Sequence, residues 1–154
     1  MIIRELFAED MHEAMDLDWT VFSEFEAPDY PDEGVETFRA FITTESVTKM
    51  LEDGVLRFWG GFDRRKLVGV IACRIPDHIS LFFVRKENHR QGIGRALFRV
   101  LEENCMRSGA KVITVYSSPY AAEVYRRLGF VDTGPETMEN GLRYVPMKYE
   151  IISM

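Results

Sequence analysis

The stretch "HRQGIGRALF", His89 to Phe98, places two glycines one residue apart at the start of a pattern typical of an amphipathic helix. Glycine has no Cβ, so Gly92 and Gly94 let another molecule approach the backbone closely. A helix N-terminus carries unpaired N–H groups and a partial positive charge, which attract phosphate oxygens. Basic side chains surround the turn: His89, Arg90, Arg95 and Arg99. The stretch suits a phosphate-bearing ligand, and a tight strand-to-helix turn could equally use the same glycines for its backbone alone.

Two common nucleotide-binding motifs do not fit this turn. A dinucleotide-binding fold needs a third glycine, where this chain has Leu97, and an acidic residue about 20 positions later. The β-branched stretch "KVITVY", residues 111–116, occupies that later place. A Walker P-loop needs Gly-Lys-Ser/Thr, and this tripeptide occurs nowhere in the sequence. The surrounding sequence must therefore decide which ligand the turn serves.

Length and composition set the broad class. A chain of 154 residues that is 46% hydrophobic suits one domain, residues 1–154. The start "MIIRELFAED" is too charged for a secretory signal, and the apolar run Leu67–Cys73 is far shorter than the roughly 20 residues of a membrane span. Cys73 and Cys105 lack the spacing of a zinc site. We expect a soluble, cytoplasmic protein with reduced thiols and no metal site.

Charge is unevenly distributed along the chain. Residues 1–54 contain 3 basic and 15 acidic side chains, a net charge of −12, whereas residues 55–154 contain 16 basic and 10 acidic side chains, a net charge of +6. The acidic half either shows a solvated helix face or attracts a cation. A chain with a net charge of −6 is a poor candidate for nonspecific nucleic-acid binding, which needs a broad basic surface.

Hydrophobic periodicity predicts alternating blocks of strands and helices. A first strand is followed by a helix and one or two further helices up to Gly54, then by three strands, of which the first two form a hairpin across "DRRK". A helix follows the glycine turn, then the strand "KVITVY", a short helix from Pro119 to Gly129, and two last strands. The order βααβββαβαββ predicts an α/β (α+β) fold whose mixed, mostly antiparallel sheet has helices on both faces.

Two segments together resemble one enzyme family. His89 to Gly94 is similar to the acyl-CoA-binding signature Arg/Gln-x-x-Gly-x-Gly/Ala of the GCN5-related N-acetyltransferase (GNAT) superfamily, with His in the first position. "SSPYAAEVYRRLGF", residues 117–130, resembles the Asn-x-x-Ala-x-x-Phe-Tyr-x-x-x-Gly-Phe segment of that family, with Ser117 or Ser118 near the Asn and Val124 in place of the first Phe. The motifs stand in the expected order, and the predicted elements extend the resemblance over nearly the whole chain.

The resemblance implies the cofactor acetyl-CoA and its binding residues. In this family an amine attacks the thioester directly, without a covalent enzyme intermediate. By this resemblance the pantetheine arm would pair with the fourth strand, and the pyrophosphate would lie on the amides of residues 91–96. The implied cofactor-binding residues are Phe82, Phe83, Val84, His89, Arg90, Gln91, Gly92, Ile93, Gly94, Arg95, Ala96 and Ser118.

The resemblance also implies an acid and leaves the base open. Tyr125 stands where the family often places the general acid for the departing thiolate, and a phenol of pKa about 10 can donate a proton at neutral pH. Its other interpretation is simple packing of helix on sheet. Ile79 to Val84 contains no acidic residue. Glu26 is our first candidate for the base, because it follows the first helix, in a segment that borders the acceptor cleft in the family. The other candidates are Glu24, Asp29, Asp77 and His78.

The sequence predicts the chemical class of the acceptor in less detail than it predicts the cofactor. A cleft lined by Glu24, Glu26, Asp29 and Asp32 would attract a cationic amine, so we expect a cationic small molecule, a protein N-terminus or a lysine. Four nearby aromatic residues either line this pocket or belong to the core: Trp19, Phe22, Phe25 and Tyr30. The alternatives are a non-catalytic acyl-CoA-binding module and an interaction protein. The stretch "LRYVPMKYEI" leaves open a homodimer formed by the last strands.

Overall fold

An eight-stranded sheet forms the centre of the computed structural model, which describes residues 1–152. The strands are β1 (Ile2–Leu6), β2 (Leu56–Asp63), β3 (Lys66–Arg74), β4 (His78–Val84), β5 (Val112–Ser117), β6 (Val131–Asp132), β7 (Thr137–Glu139) and β8 (Leu142–Glu150). The α-helices are α1 (Met11–Phe25), α2 (Asp32–Phe41), α3 (Thr44–Glu52), α4 (Ile93–Arg107) and α5 (Ala122–Leu128).

The observed order differs from the predicted one by one helix and one short strand. The second helical region divides because Thr43 starts a new helix, its hydroxyl accepting a hydrogen bond from Ser46 N at 3.1 Å. β7 lies between the two last predicted strands, where no strand was predicted; all its residues are exposed, so its pairing with β8 is what makes it a strand. The predicted mixed, mostly antiparallel sheet is confirmed.

Topology places β4 near the middle of the sheet. The strand order is β1-β2-β3-β4-β5-β8-β6, with β7 also paired to β8. Every pair is antiparallel except β4 with β5. Arg64 and Arg65 both have positive φ at the turn between β2 and β3, as a two-residue hairpin with right-handed strand twist requires.

Helices cover both faces of the sheet, as predicted. One core cluster packs beneath α4 and α5 and includes Leu97 and Leu101, which lie four residues apart on one helical face. The other packs beneath α1 and includes Leu17 and Phe22. β3 is buried on both faces, which explains its continuous apolar run. None of the helices in residues 1–152 combines the length and apolar character that a membrane span requires.

β4 and β5 separate part-way along their length, and this separation positions the site. They pair only at His78 and Ile79. The register between β3 and β4 shifts at the same place, where Ser80 is the extra residue of a bulge. Beyond Ile79, residues 80–84 have β3 on one side only, so one edge of β4 faces a gap between the strands.

Candidate active site

The glycine turn presents a series of free backbone amides. Gly92 caps α4 with φ +81°, a conformation that favours glycine. The amides of residues 90–95 donate to no group within the described chain, whereas the Ala96 amide donates to Gly92 O at 3.0 Å. Ala96 therefore lies inside the helix, and the amides that are left free are those of residues 90–95. This arrangement, with the positive end of the helix dipole behind it, fits a diphosphate.

The free edge of β4 supplies further backbone groups. Arg85 N donates to Val68 O at 2.8 Å, so by strand alternation Phe83 directs its amide and carbonyl toward β3. Phe82 and Val84 direct theirs to the gap. His89 Nε2 lies 2.8 Å from Val84 O and donates to it in the tautomer with a proton on Nε2. An extended ligand would thus pair with Phe82 and with the Val84 amide, and not with Phe83.

Two cavities, each of about 390 Å³, meet at the gap between the strands. The turn cavity extends toward α4 and is bounded by His89, Arg90, Gly92, Ile93, Gly94 and Arg95 together with residues of α5. The hairpin cavity extends under the β7–β8 hairpin and is bounded by α2, β5 and β8. Five residues line both cavities: Glu26, Phe82, Phe83, Ala121 and Tyr125.

Glu26 lies at this junction because α1 ends there. Its backbone amide caps the helix by donating to Phe22 O at 2.9 Å. Burial raises the pKa of the Glu26 carboxyl from 4.5 to about 7, although the Ser118 hydroxyl beside it acts in the opposite direction. A carboxyl with this pKa exchanges a proton near neutral pH, as a general base must.

Tyr125 faces the same junction from α5. The ring is buried and packs edge-on against Phe82 and Phe130, with centroid distances of 6.0 and 5.3 Å. Burial, and to a lesser degree the charge of Glu26, raises the pKa of the phenol above its usual value. Tyr125 therefore stays protonated at neutral pH and has a proton to donate.

Close packing fixes the outer wall of the hairpin cavity. Asn140 and Gly141 form the β7–β8 turn with positive φ, and a Cβ on Gly34 would lie 2.1 Å from Gly141 O. The absence of that Cβ lets α2 rest directly on the turn. Thr37 Oγ1 donates to Asn140 O at 2.8 Å, which holds the two segments in this contact.

Several residues predicted to bind the cofactor or act as the base lie outside the turn cavity. Ser118 lines the hairpin cavity and its hydroxyl accepts from Ala121 N at 3.2 Å. Gln91 lines neither cavity; its side chain donates to Glu87 O at 3.2 Å. Of the candidate bases only Glu26 lines a cavity: the carboxylate of Glu24 pairs with Lys86, His78 Nδ1 is 2.8 Å from Thr114 Oγ1, and Asp29 and Asp77 lie outside both linings.

The predicted acidic cleft is absent from the described residues. Glu24, Asp29 and Asp32 line neither cavity, so only Glu26 of the four predicted carboxylates faces the junction. The aromatic residues divide in the same way. Phe22 and Tyr30 line the hairpin cavity, Phe25 and its stacking partner Tyr120 line the turn cavity, and Trp19 lines neither.

The sequence patterns did not point to several residues that line the two cavities. Val124 and Arg127 line the turn cavity; Val124 is three residues after Ala121 and Arg127 three after Val124, so helical spacing could have placed both on that face of α5. Arg143 and Tyr144 of β8 line the hairpin cavity. No local pattern marks these two residues, because the topology brings β8 beside β5 only after the chain has crossed the sheet.

Comparison with known proteins identifies the family of this chain. The model of the "Acetyltransferase (GNAT) domain" family matches residues 26–151. The chain belongs to the GNAT acetyltransferase family. A curated relative, S-(2-succino)cysteine N-acetyltransferase of Bacillus subtilis (strain 168), is 29% identical over 101 residues. That match covers 56% of this GNAT chain, which spans only 61% of the relative's length.

Solved GNAT structures share the fold along their full length. The GCN5-related N-acetyltransferase of Rhodopseudomonas palustris superposes with a TM-score of 0.83 at 23% identity, covering 97% of this chain and 94% of that one. The PaiA N-acetyltransferase of Thermoplasma acidophilum, in complex with coenzyme A, gives 0.81 at 19% identity and coverages of 97% and 98%. The predicted GNAT fold and family membership are confirmed.

Proposed function

We propose that this GNAT protein transfers an acetyl group from acetyl-CoA directly to a primary amine. The observation that carries the proposal is the position of Glu26 and Tyr125 where the two cavities meet. One group is a carboxyl with a pKa of about 7, and the other is a protonated phenol. A protein that only bound acyl-CoA would need the glycine turn but neither of these groups.

The turn cavity is the proposed acetyl-CoA site. The free amides of residues 90–95 would hold the diphosphate, and the guanidinium groups of Arg90, Arg95 and Arg127 would add positive charge around it. The free edge of Phe82 and Val84 would pair with the pantetheine arm, which places the thioester at the junction of the cavities. Bound acetyl-CoA supplies a thioester that an amine can attack.

The chain's own residues handle the protons. Glu26, in its carboxylate form, accepts a proton from the incoming ammonium, so that the nitrogen lone pair becomes available for attack on the thioester carbonyl. The Phe82 amide donates a hydrogen bond to the carbonyl oxygen as negative charge develops there. Tyr125 then donates its phenolic proton to the departing thiolate.

The hairpin cavity is the proposed acceptor site, and its dimensions suit a small primary amine. Among the described residues, Glu26 and Glu139 are the carboxylates in its lining, so an amine that arrives as a cation finds negative charge in the cavity. The curated relative is named for an amino acid acceptor, S-(2-succino)cysteine, which also favours a small molecule over a protein amine.

The test is thiol release from acetyl-CoA over a panel of small primary amines, measured from pH 5.5 to 9 for wild type and Glu26→Gln. For the wild type we expect the pH profile of kcat/KM to have a rising limb with a midpoint near pH 7, because Glu26 must lose its proton before it can act as a base. Glu26→Gln should lack this limb and turn over about 10²- to 10⁴-fold more slowly. Equal activity of the two proteins across the pH range, or no thiol release above the uncatalysed rate, would refute the proposal.

A further inference from the structure

The hairpin cavity holds one cationic side chain in its described lining, and the proposed chemistry does not use it. Arg143 of β8 borders the cavity, whereas the other lining residues of this part of the chain are aromatic, aliphatic, hydroxyl-bearing, amide or acidic. The Arg143 side chain is 36% exposed, so its guanidinium is accessible both to solvent and to a ligand that enters the cavity.

Two contacts hold the Arg143 guanidinium in place without satisfying it. Nη2 donates to the carbonyl of Asp29 at 2.7 Å, and Nη1 lies 3.8 Å from the carboxylate of Glu136, a long and weak pair. The hydroxyl of Tyr30 donates to Arg143 O at 3.1 Å, which fixes the backbone of β8 against the segment that follows α1. A guanidinium has five N–H donors, so most of them remain available to an oxygen ligand in the cavity.

We propose that the acceptor carries a carboxylate as well as an amine, and that Arg143 binds this carboxylate. The inference rests on the proposed function. The geometry agrees with it, since Glu26 and Arg143 both line a cavity of about 390 Å³, one at its junction with the turn cavity and the other on β8. The acceptor class is thus an amino acid whose carboxylate pairs with arginine through two parallel hydrogen bonds while its amine meets Glu26.

Matched acceptor pairs test the inference. Thiol release is measured with free amino acids and with the same amino acids amidated at the carboxyl group, which keeps the amine and removes the negative charge. The wild type should show kcat/KM about 10- to 100-fold higher for the acid than for the amide, as expected for a charge-assisted pair. Arg143→Gln should reduce this ratio to near 1 with the KM for acetyl-CoA unchanged, and Arg143→Lys should restore part of it.

Arg107→Gln is the control for loss of an arginine, because Arg107 is exposed near the end of α4 and pairs with Glu103. It should keep the wild-type ratio. A wild-type ratio near 1, or an unchanged ratio in Arg143→Gln, would overturn the carboxylate site.

Calorimetry of the same pairs with CoA-loaded protein separates the two proposals. If the acids bind and the amides do not, but none of the acids causes thiol release from acetyl-CoA, the carboxylate site is supported and the transfer reaction is refuted. Binding of neither series overturns the carboxylate site. Thermal melts of the Arg143 variants verify that each is folded, and the Lys variant retains the charge should Gln loosen β8.

Discussion

The raised pKa of Glu26 makes this residue a burden on stability at the pH where it would act. In the folded protein the carboxyl keeps its proton up to about pH 7, whereas in the unfolded chain it ionises near 4.5. Between these values the folded state binds more protons than the unfolded state, so stability falls as pH rises through this window. The loss is complete above pH 7 and absent well below pH 4.5.

The size of this effect follows from the pKa difference. One pH unit of difference corresponds to about 1.36 kcal/mol, so a window of about 2.5 units costs the fold about 3 kcal/mol at pH 8. Glu26→Gln keeps the shape of the side chain and removes the ionisation. We expect the variant to gain about 3 kcal/mol of unfolding free energy over the wild type between pH 4.5 and pH 8.

Urea unfolding followed by circular dichroism at several pH values measures this gain. The wild type contains a second buried carboxyl, Asp18, which has no hydrogen-bond partner in the described chain and whose pKa is raised by burial. Asp18 is common to both proteins, but the charge of Glu26 also raises its pKa, so the difference between the proteins reports the ionisation of Glu26 together with its repulsion of Asp18. Glu24→Gln is the matched control, since Glu24 is exposed and pairs with Lys86 on the surface. A difference between Glu26→Gln and wild type that does not grow with pH would refute the assigned pKa.

Three further substitutions test separate parts of the site. Tyr125→Phe should lower kcat about 10²- to 10⁴-fold while acetyl-CoA affinity, measured by calorimetry, stays within about twofold. Gly92→Ala should weaken acetyl-CoA binding and cost about 1–2 kcal/mol of stability because φ is +81°. Gly109→Ala is its control, since Gly109 has φ +86° at the far end of α4 and open space around it. This control should lose similar stability and keep the wild-type affinity for acetyl-CoA. Gly34→Ala should raise the acceptor KM, since its Cβ would lie 2.1 Å from Gly141 O; an unchanged acceptor KM would contradict the assignment of the hairpin cavity.

Local patterns were enough to predict the turn cavity in outline. Gly92 and Gly94, the basic residues beside them and Tyr125 each belong to a short motif whose geometry depends on neighbours in sequence. The Ala96 amide shows the limit of this approach: the first helical hydrogen bond occupies it, and only the observed start of α4 reveals where free amides end. Phe83 is similar, because the side to which its amide points depends on the register with β3.

The hairpin cavity depends on contacts that no local pattern records. Tyr30 and Arg143, which form its far wall, are 113 residues apart in sequence. β7 has no buried residue, so its strand exists through its pairing with β8 and the positive φ of Asn140 and Gly141. The acidic cleft predicted from the charge count was wrong for the same reason. The excess of acidic residues before Gly54 is real, but helix orientation turns most of those carboxylates away from the cavities.

The separation of β4 from β5 accounts for both the binding surface and the raised pKa of Glu26. If the two strands stayed paired beyond Ile79, the backbone of Phe82 would bond to β5 and could not pair with a ligand. The gap also lets the end of α1 approach α5, which brings Glu26 and Tyr125 into one partly enclosed space. Desolvation in that space raises the pKa of Glu26 toward neutrality and keeps Tyr125 protonated. The bulge at Ser80, where the register shifts, is therefore the point on which the proposed proton chemistry depends, although Ser80 itself has no ionisable group.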